Sequence, residues 1–480
     1  MLKRILQFGL LVLIVLVGIL LLNTFNFKSK QIQVASEPSP TLSKEALERF
    51  TKAIQIKTIS FGDSIPPDST AFLDFHNFLF DSYPLVHEKL AYEKVAKYSL
   101  LYQWKGQLES AKPIVLMAHM DVVPIEPGTE EMWSVDPFSG LVKNDTIWGR
   151  GATDDKMNLI AIMESVERLL STGFVPARTI YLSFGHDEEI GGEGAIAIAA
   201  LLKSRGVEAE MVLDEGGIIT EDKIPGIPKP LALIGTAEKG YMSLDLSVEE
   251  SGGHSSMPAA ETSIDILTKA IVRLRENPFE ASFSQSTLDF INYIGPEQPF
   301  LQKMIFANQW LFNGTIVGIY EQSDGGNAMV RTTIAPTIIH AGIKDNVIPT
   351  LAKATINFRL LPGDTKESVT NRVSNIIADS RINITQNGFG NNPSKVTPVD
   401  GYGFKVVELA IRKSFEDVIV APFLMIGATD SRHFGEVSSQ IIKFSPMNDP
   451  LGFHGIDERL SVKGYQDGIW FFEQLIKSIQ

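Results

Sequence analysis

The chain has 480 residues, 44% hydrophobic and 21% charged, the balance of a folded globular protein rather than a disordered one. Its 57 acidic against 43 basic residues give a net charge of −14, which repels phosphate backbones and excludes general nucleic-acid binding. With no cysteine there is no disulfide, thiolate zinc site or cysteine nucleophile, and with eight histidines any metal site has to lean on carboxylates.

In chain order, Ile5 to Leu22 come first, apolar but for Gln7 and preceded by Lys3 and Arg4. At about 1.5 Å per residue such a helix nearly matches a hydrocarbon core of about 30 Å. No small-x-small cleavage site follows it, so residues 1–23 are expected to anchor the chain, with the body outside the cytoplasm. The alternative is a cleaved signal segment and a secreted body. Residues 24–42 are polar, carry Pro and Ser, and read as a linker. Lys44 to Ile54 predicts an amphipathic helix with Ser43 as its N-cap.

From 98 to 240, apolar runs alternate with helical patterns. YSLLYQW, PIVLMAHM, TIYLSFG and AEMVLDEGG read as strands; MNLIAIMESVERLL and GAIAIAALLKSRG read as helices, the second closed by Gly206. Such alternation implies an α/β unit with a mostly parallel central sheet. After Gly240, YMSLDLSVE and KATINFRLLPG alternate apolar with polar, as half-exposed strands do, around the helical SIDILTKAIVRLREN. Residues 241–395 are therefore expected to form a smaller α+β unit, inserted between the first part of the α/β unit (43–240) and its second part (396–480). Within the insertion, 279–335 is rich in aromatics, read as its core rather than as a lipid site.

The chemistry-bearing residues follow predicted strands, where α/β sheets place their sites. His119 and Asp121 share one face of a strand, so Asp121 could accept the ring N–H of a liganding His119. Asp154 and Asp155 open a helix; capping explains one acid and leaves the other free. Asp187, Glu188 and Glu189 end another strand and repel one another unless a cation or proton intervenes. Asp214 and Glu215 repeat the pattern, and His454 lies near the C-terminus. Two histidines and three carboxylates suffice for a pair of divalent ions. Nitrogen and oxygen donors without sulfur suit zinc, with cobalt or manganese as substitutes, and an acid is left over as general base.

The runs AHMDVVP, GRGATDDK, GHDEE, DEGG, GGHSSMP, NVIP, NFRLLPG and HGIDE resemble the zinc exopeptidase family of aminoacylase, carboxypeptidase S and succinyl-diaminopimelate desuccinylase. The similarity covers about residues 45–478, and its form is most like carboxypeptidase S and the secreted N-fatty-acyl-amino-acid hydrolase/synthase. The resemblance implies a zinc-peptidase catalytic domain carrying an inserted lid and dimerisation domain. It implies two zinc ions per subunit: His119 and Asp214 on one, Glu189 and His454 on the other, and Asp154 bridging. Glu215 rivals Asp214, because relatives use either acid at this strand end. Glu188 would be general base and proton shuttle, and Asp121 would orient His119. His254 would stabilise the oxyanion in a neighbouring subunit's site, an implied role that would require a homodimer through the lid. Arg359, assisted by Asn346, would hold a substrate carboxylate, since a guanidinium fork suits one.

The expected activity is hydrolysis of the amide bond of N-acyl amino acids or small peptides with a free C-terminal carboxylate, with long acyl groups a plausible class. The alternatives are a dipeptidase-like carboxypeptidase and, from another class, a membrane-tethered binding protein without turnover. Among the other histidines, His433 in ATDSRHF is the strongest further candidate.

Overall fold

A computed structural model of the protein describes residues 1–62 and 65–479. Its larger sheet has nine strands. Eight lie in the order Ala91–Val95, Ser99–Trp104, Ile180–Gly185, Ile114–His119, Met211–Asp214, Ile441–Lys443, Leu231–Glu238 and Ile419–Met425; Ile219–Thr220 pairs with Leu231–Glu238. The run IVLMAH is apolar at nearly every position because both of its faces are covered. Ile114, Leu116 and Ala118 join one core, while Val115 and Met117 join another on the opposite face. Lys156–Ser171, Tyr402–Ser414 and Val462–Ser478 pack on the first face, and Glu193–Ser204 on the second.

The sheet is mixed, where a mostly parallel one was expected. Its central strands 180–185, 114–119, 211–214 and 441–443 run parallel. Ala96 and Lys97, both at positive φ, turn the chain tightly so that 91–95 and 99–104 form a hairpin, and 99–104 lies antiparallel to 180–185. A hairpin needs only a short connection, so the antiparallel edge leaves little trace in hydrophobic pattern.

A second, antiparallel sheet has the order Thr333–Ala341, Leu351–Leu360, Gly240–Glu249, Ile382–Asn391. Helices Ser263–Glu276 and Lys366–Ile377 close a separate core over Met242, Leu244, Leu246, Ile356 and Phe358. The strand 240–249 is less exposed than its alternation suggests, because it is interior to the sheet. Its buried Asp245 accepts from Thr355 (2.7 Å) and Asn387 (2.9 Å) and pairs with Lys353.

Two expectations change. Residues 27–43 have neither helix nor strand, as a linker would, yet they are strapped to the body. The Gln31 side chain bonds both the N–H and the C=O of Val420 (2.8 Å each), Glu37 N–H donates to Lys413 O (2.7 Å), and the Trp470 indole donates to Glu37 O (3.0 Å). The aromatics of 279–335, read as one inserted core, divide instead. Phe279 lies in the second core, but Phe290 and Tyr293, on helix Gln285–Ile294, lie in the first. Phe300 and Trp310 are exposed.

Lys239 sits fully buried between strands 231–238 and 240–249, its ammonium donating to Ala328 O and Arg331 O (2.8 Å each). Burial, with the nearby Arg359 charge, pushes it down to about 7. Between that value and the ordinary lysine value of about 10.4 the unfolded chain binds more protons, so stability rises with pH. In thermal melts from about pH 7 to about pH 9, wild type is expected to gain on Lys239→Met. A constant difference would contradict this.

Leu2–Asn26 is one helix, and its most apolar 18-residue window is wholly unburied. It is long and apolar enough to cross a membrane, and a signal sequence passes the same test.

Candidate metal centre

The carboxyl ends of the parallel strands 114–119, 180–185 and 211–214 deliver His119, Glu188, Glu189 and Glu215, as open α/β sheets do, while Asp154 precedes helix Lys156–Ser171 and His454 lies in a loop before strand Arg459–Ser461. His119 ends the first strand and is almost fully buried. Its Nδ1 lies 3.0 Å from the Asp121 main-chain oxygen and 3.2 Å from Oδ1 of the same residue. That fixes the ring and leaves Nε2 for a ligand. Asp121 in turn accepts from Ser60 (2.8 Å) and from the main-chain N–H groups of Glu188 and Glu189 (3.2 Å each). One buried carboxylate thus sets both the imidazole and the acid turn.

Around His119 Nε2 stand Asp154 Oδ1 at 2.9 Å and Glu215 Oε1 at 3.3 Å. The other Asp154 oxygen lies 2.6 Å from His454 Nε2, which is also 3.4 Å from Glu189 Oε2. The two oxygens of Asp154 therefore face two different imidazoles. Two sets of possible ligands share His119, one with Asp155 and Glu215 and one with Asp154 and Glu189; within each set the donor atoms lie within 4.8 Å of one another.

Of the two acids at the third strand end, Glu215 faces His119. Both Asp214 oxygens are engaged elsewhere, Oδ2 by Ser431 N–H (2.8 Å) and Oδ1 by Glu215 N–H (3.0 Å). Asp155 is bonded to His119 N–H (3.2 Å) and Asn158 Nδ2 (2.5 Å).

The electrostatics call for cations. Burial pushes Asp155, Glu188, Glu215 and Asp430 well above the usual carboxylate range, and neighbouring acids push in the same direction. Glu189 is also raised by burial, despite His454. Hydrogen bonds to Asp154 and Glu189 lift His454 to about 10. Burial would depress His119, yet Glu215, Asp121 and Asp154 hold it well above its usual range. Glu189 Oε1 and Asp430 Oδ1 are buried without a hydrogen-bond partner among the described residues. Clustered acids, imidazoles whose Nε2 atoms face carboxylate oxygens, and orphaned oxygens together fit divalent metal bound through nitrogen and oxygen.

The remaining expected residues do not join the cluster's hydrogen bonds or ion pairs among the described residues. His254 is exposed on a short antiparallel pairing of Gly253–His254 with Val347–Ile348; Asn346 adjoins it, its C=O accepting from Ser255 N–H (3.2 Å). Arg359 is half-buried, 4.7 Å over the Tyr241 ring, and burial lowers its pKa. No carboxylate pairs with it among the described residues. His433 lies 3.1 Å from the Arg432 guanidinium.

Two residues escaped the sequence reading. Asp430, three before His433, is the largest charge acting on Glu188. It follows the end of strand 419–425, the placement rule that found the other acids. Glu458, in the HGIDE run, pairs with Arg150 (2.6 Å) and accepts from Gly151 N–H, Thr153 N–H and Oγ1, and Asp154 N–H. It therefore ties the loop of His454 to the turn of Asp154.

Residues 115–478 match the family model described as peptidase family M20/M25/M40. Among curated relatives, a probable carboxypeptidase S-like 2 of Dictyostelium discoideum is 42% identical, with 97% of this chain and 93% of that protein covered. The human N-fatty-acyl-amino acid synthase/hydrolase PM20D1 is 40% identical, with 94% and 92% covered. Among solved structures, an M20 family metallo-carboxypeptidase of Sulfolobus solfataricus superposes with TM-score 0.68 at 19% identity, over 91% of this chain and 99% of that one, a likeness of fold. With the family model matched over most of its length and relatives this similar along nearly all of it, the chain belongs to the M20/M25/M40 family and is a metallohydrolase of the metallopeptidase and amidohydrolase type.

Proposed function

We propose that this chain is a zinc-dependent amidohydrolase acting on N-acyl amino acids or small peptides that end in a free carboxylate. His119 and Glu215 would hold one zinc ion and His454 and Glu189 the other, with Asp154 offering an oxygen toward each imidazole, and cobalt or manganese could substitute. Glu215 takes the role expected of Asp214, whose oxygens already serve main-chain N–H groups. The observation that carries the reading is Asp154, each of whose oxygens faces one imidazole. When bound, a cation pair there would make water acidic at neutral pH and would supply positive charge for a developing oxyanion.

The chain's own groups do the rest. Asp121 holds the His119 ring with Nε2 presented. Glu188 accepts a proton from the attacking water and returns it to the leaving nitrogen. The catalytic unit comprises 43–240 and 396–480, and the inserted unit 241–395 forms lid and dimer contact. His254, exposed on that unit, stabilises the oxyanion in the other subunit of a homodimer. Arg359 receives the substrate carboxylate; its guanidinium has no carboxylate partner among the described residues, and Asn346, beside His254 at the opposite end of strand 240–249, would assist from the other subunit. The N-terminal helix anchors the protein with its body outside the cytoplasm, and cleavage of that segment would release it. The names of the relatives, an N-fatty-acyl-amino acid synthase/hydrolase and a carboxypeptidase S-like protein, support the substrate class.

The test is hydrolysis of a panel pairing N-acyl amino acids of graded chain length with dipeptides. Faster turnover of the acyl series is expected; preference for dipeptides would favour the carboxypeptidase alternative. No turnover by zinc-loaded protein would leave the tethered binding protein. Arg359→Ala is expected to raise KM about tenfold or more for substrates with a free carboxylate, since a charged hydrogen bond is worth about 1.5–3 kcal/mol. Their amidated counterparts should be unaffected. Equal effects on both would remove Arg359 from this role.

A further inference from the structure

Two consecutive helices of the insertion, Phe300–Ala307 and Gln309–Tyr320, contradict an aqueous setting. Between Glu297 and Glu321 the one charged side chain is Lys303. A run this apolar ordinarily lies in a core, yet nothing in the first helix is buried and only Ile316 in the second. Leu301 is 66% exposed and Trp310 60%, with Phe300, Leu311 and Ile319 also exposed. A contiguous apolar surface of this kind marks an interaction site.

What covers it follows from its neighbour. The two helices hold the end of the N-terminal apolar helix, where a membrane span would leave the hydrocarbon. Asn23 Nδ2 donates to Asn308 Oδ1 (2.8 Å), Asn308 Nδ2 donates to Leu20 O (3.2 Å), and the Phe25 and Phe300 rings lie 6.2 Å apart. Lys28 and Lys30 follow at once in sequence, as cations flanking a membrane span do. A helix pair fixed at that level and carrying an exposed Trp has the features of an interfacial element, since indole rings favour the headgroup boundary.

We propose that 300–320 is a membrane-embedded platform, whose apolar surface enters the lipid interface beside the N-terminal span. This rests on the anchor reading above. The platform turns a single-helix tether into a two-point attachment that fixes how the catalytic body faces the bilayer.

The full chain, reconstituted into phosphatidylcholine vesicles containing acyl-chain-brominated lipid, tests it through tryptophan fluorescence. Of the five tryptophans, Trp104, Trp133 and Trp470 are at most 8% exposed and Trp148 is half-buried in the small sheet under Arg459, so quenching that is lost in Trp310→Phe reports lipid contact at Trp310. Strong quenching is expected, with more than half of it lost in Trp310→Phe. As the chain has no cysteine, Leu301→Cys labelled with an environment-sensitive dye gives a second reading, a blue shift on reconstitution. A protein that floats with the vesicles while Trp310 stays unquenched and open to aqueous acrylamide overturns the platform alone. So does shielding of Trp310 that depends on protein rather than lipid concentration, which would mean a second copy covers it. Failure to float overturns the anchor reading and the platform with it.

Discussion

Glu188→Gln is expected to lower kcat by about 10²–10⁴-fold, the usual contribution of a positioned general base, while leaving bound metal and thermal stability close to wild type. Glutamine keeps the size of the side chain, and the main-chain bond from Glu188 N–H to Asp121 is untouched. The half-buried Glu188, its carboxyl pushed up by burial and by Asp430, has no side-chain hydrogen bond among the described residues that an amide would break. Stability should therefore hold or improve, because a neutral group replaces one that burial penalises when charged. The separation of kcat from metal content is what distinguishes a proton carrier from a ligand. If the variant keeps its metal and its turnover, Glu188 is not the base.

Removing the metal should have the larger effect on activity, abolishing it, and should also weaken the fold. Asp155, Glu189, Glu215 and Asp430 are crowded and buried, and Glu189 Oε1 and Asp430 Oδ1 have no partner among the described residues. A ligand bound only by the folded chain stabilises it by about 4.1 kcal/mol when present at a thousandfold its dissociation constant. Chelation followed by dialysis should lower Tm by several degrees, and added zinc should restore both Tm and turnover. Full activity in protein shown by mass spectrometry to be metal-free would refute a metal-dependent reaction here.

Much of this was readable from sequence, for definite reasons. Ser43 caps the helix Lys44–Gln55 through Ala46 N–H, as its position before an amphipathic run requires. The strands that end at, or just before, His119, Glu188–Glu189 and Asp214–Glu215 announce themselves as apolar runs that stop near acids or imidazoles. The choice between Asp214 and Glu215 was not readable. Adjacent residues at a strand end point to opposite sides, so that Glu215 faces His119 while Asp214 accepts from Ser431, distant in sequence. The same holds for Asp430 and Glu458, whose importance comes from Glu188 in one case and the 150–154 turn in the other. The strap of residues 27–43 and the division of the 279–335 aromatics depend on long-range packing, which no local periodicity records.

The paired-cation centre is tested most directly by an anomalous difference map at the zinc edge, from crystals of the zinc-loaded protein. Two peaks are expected, on either side of the Asp154 carboxylate, one within ligand distance of His119 and Glu215 and the other of His454 and Glu189. A single peak, or peaks away from Asp154, would contradict it.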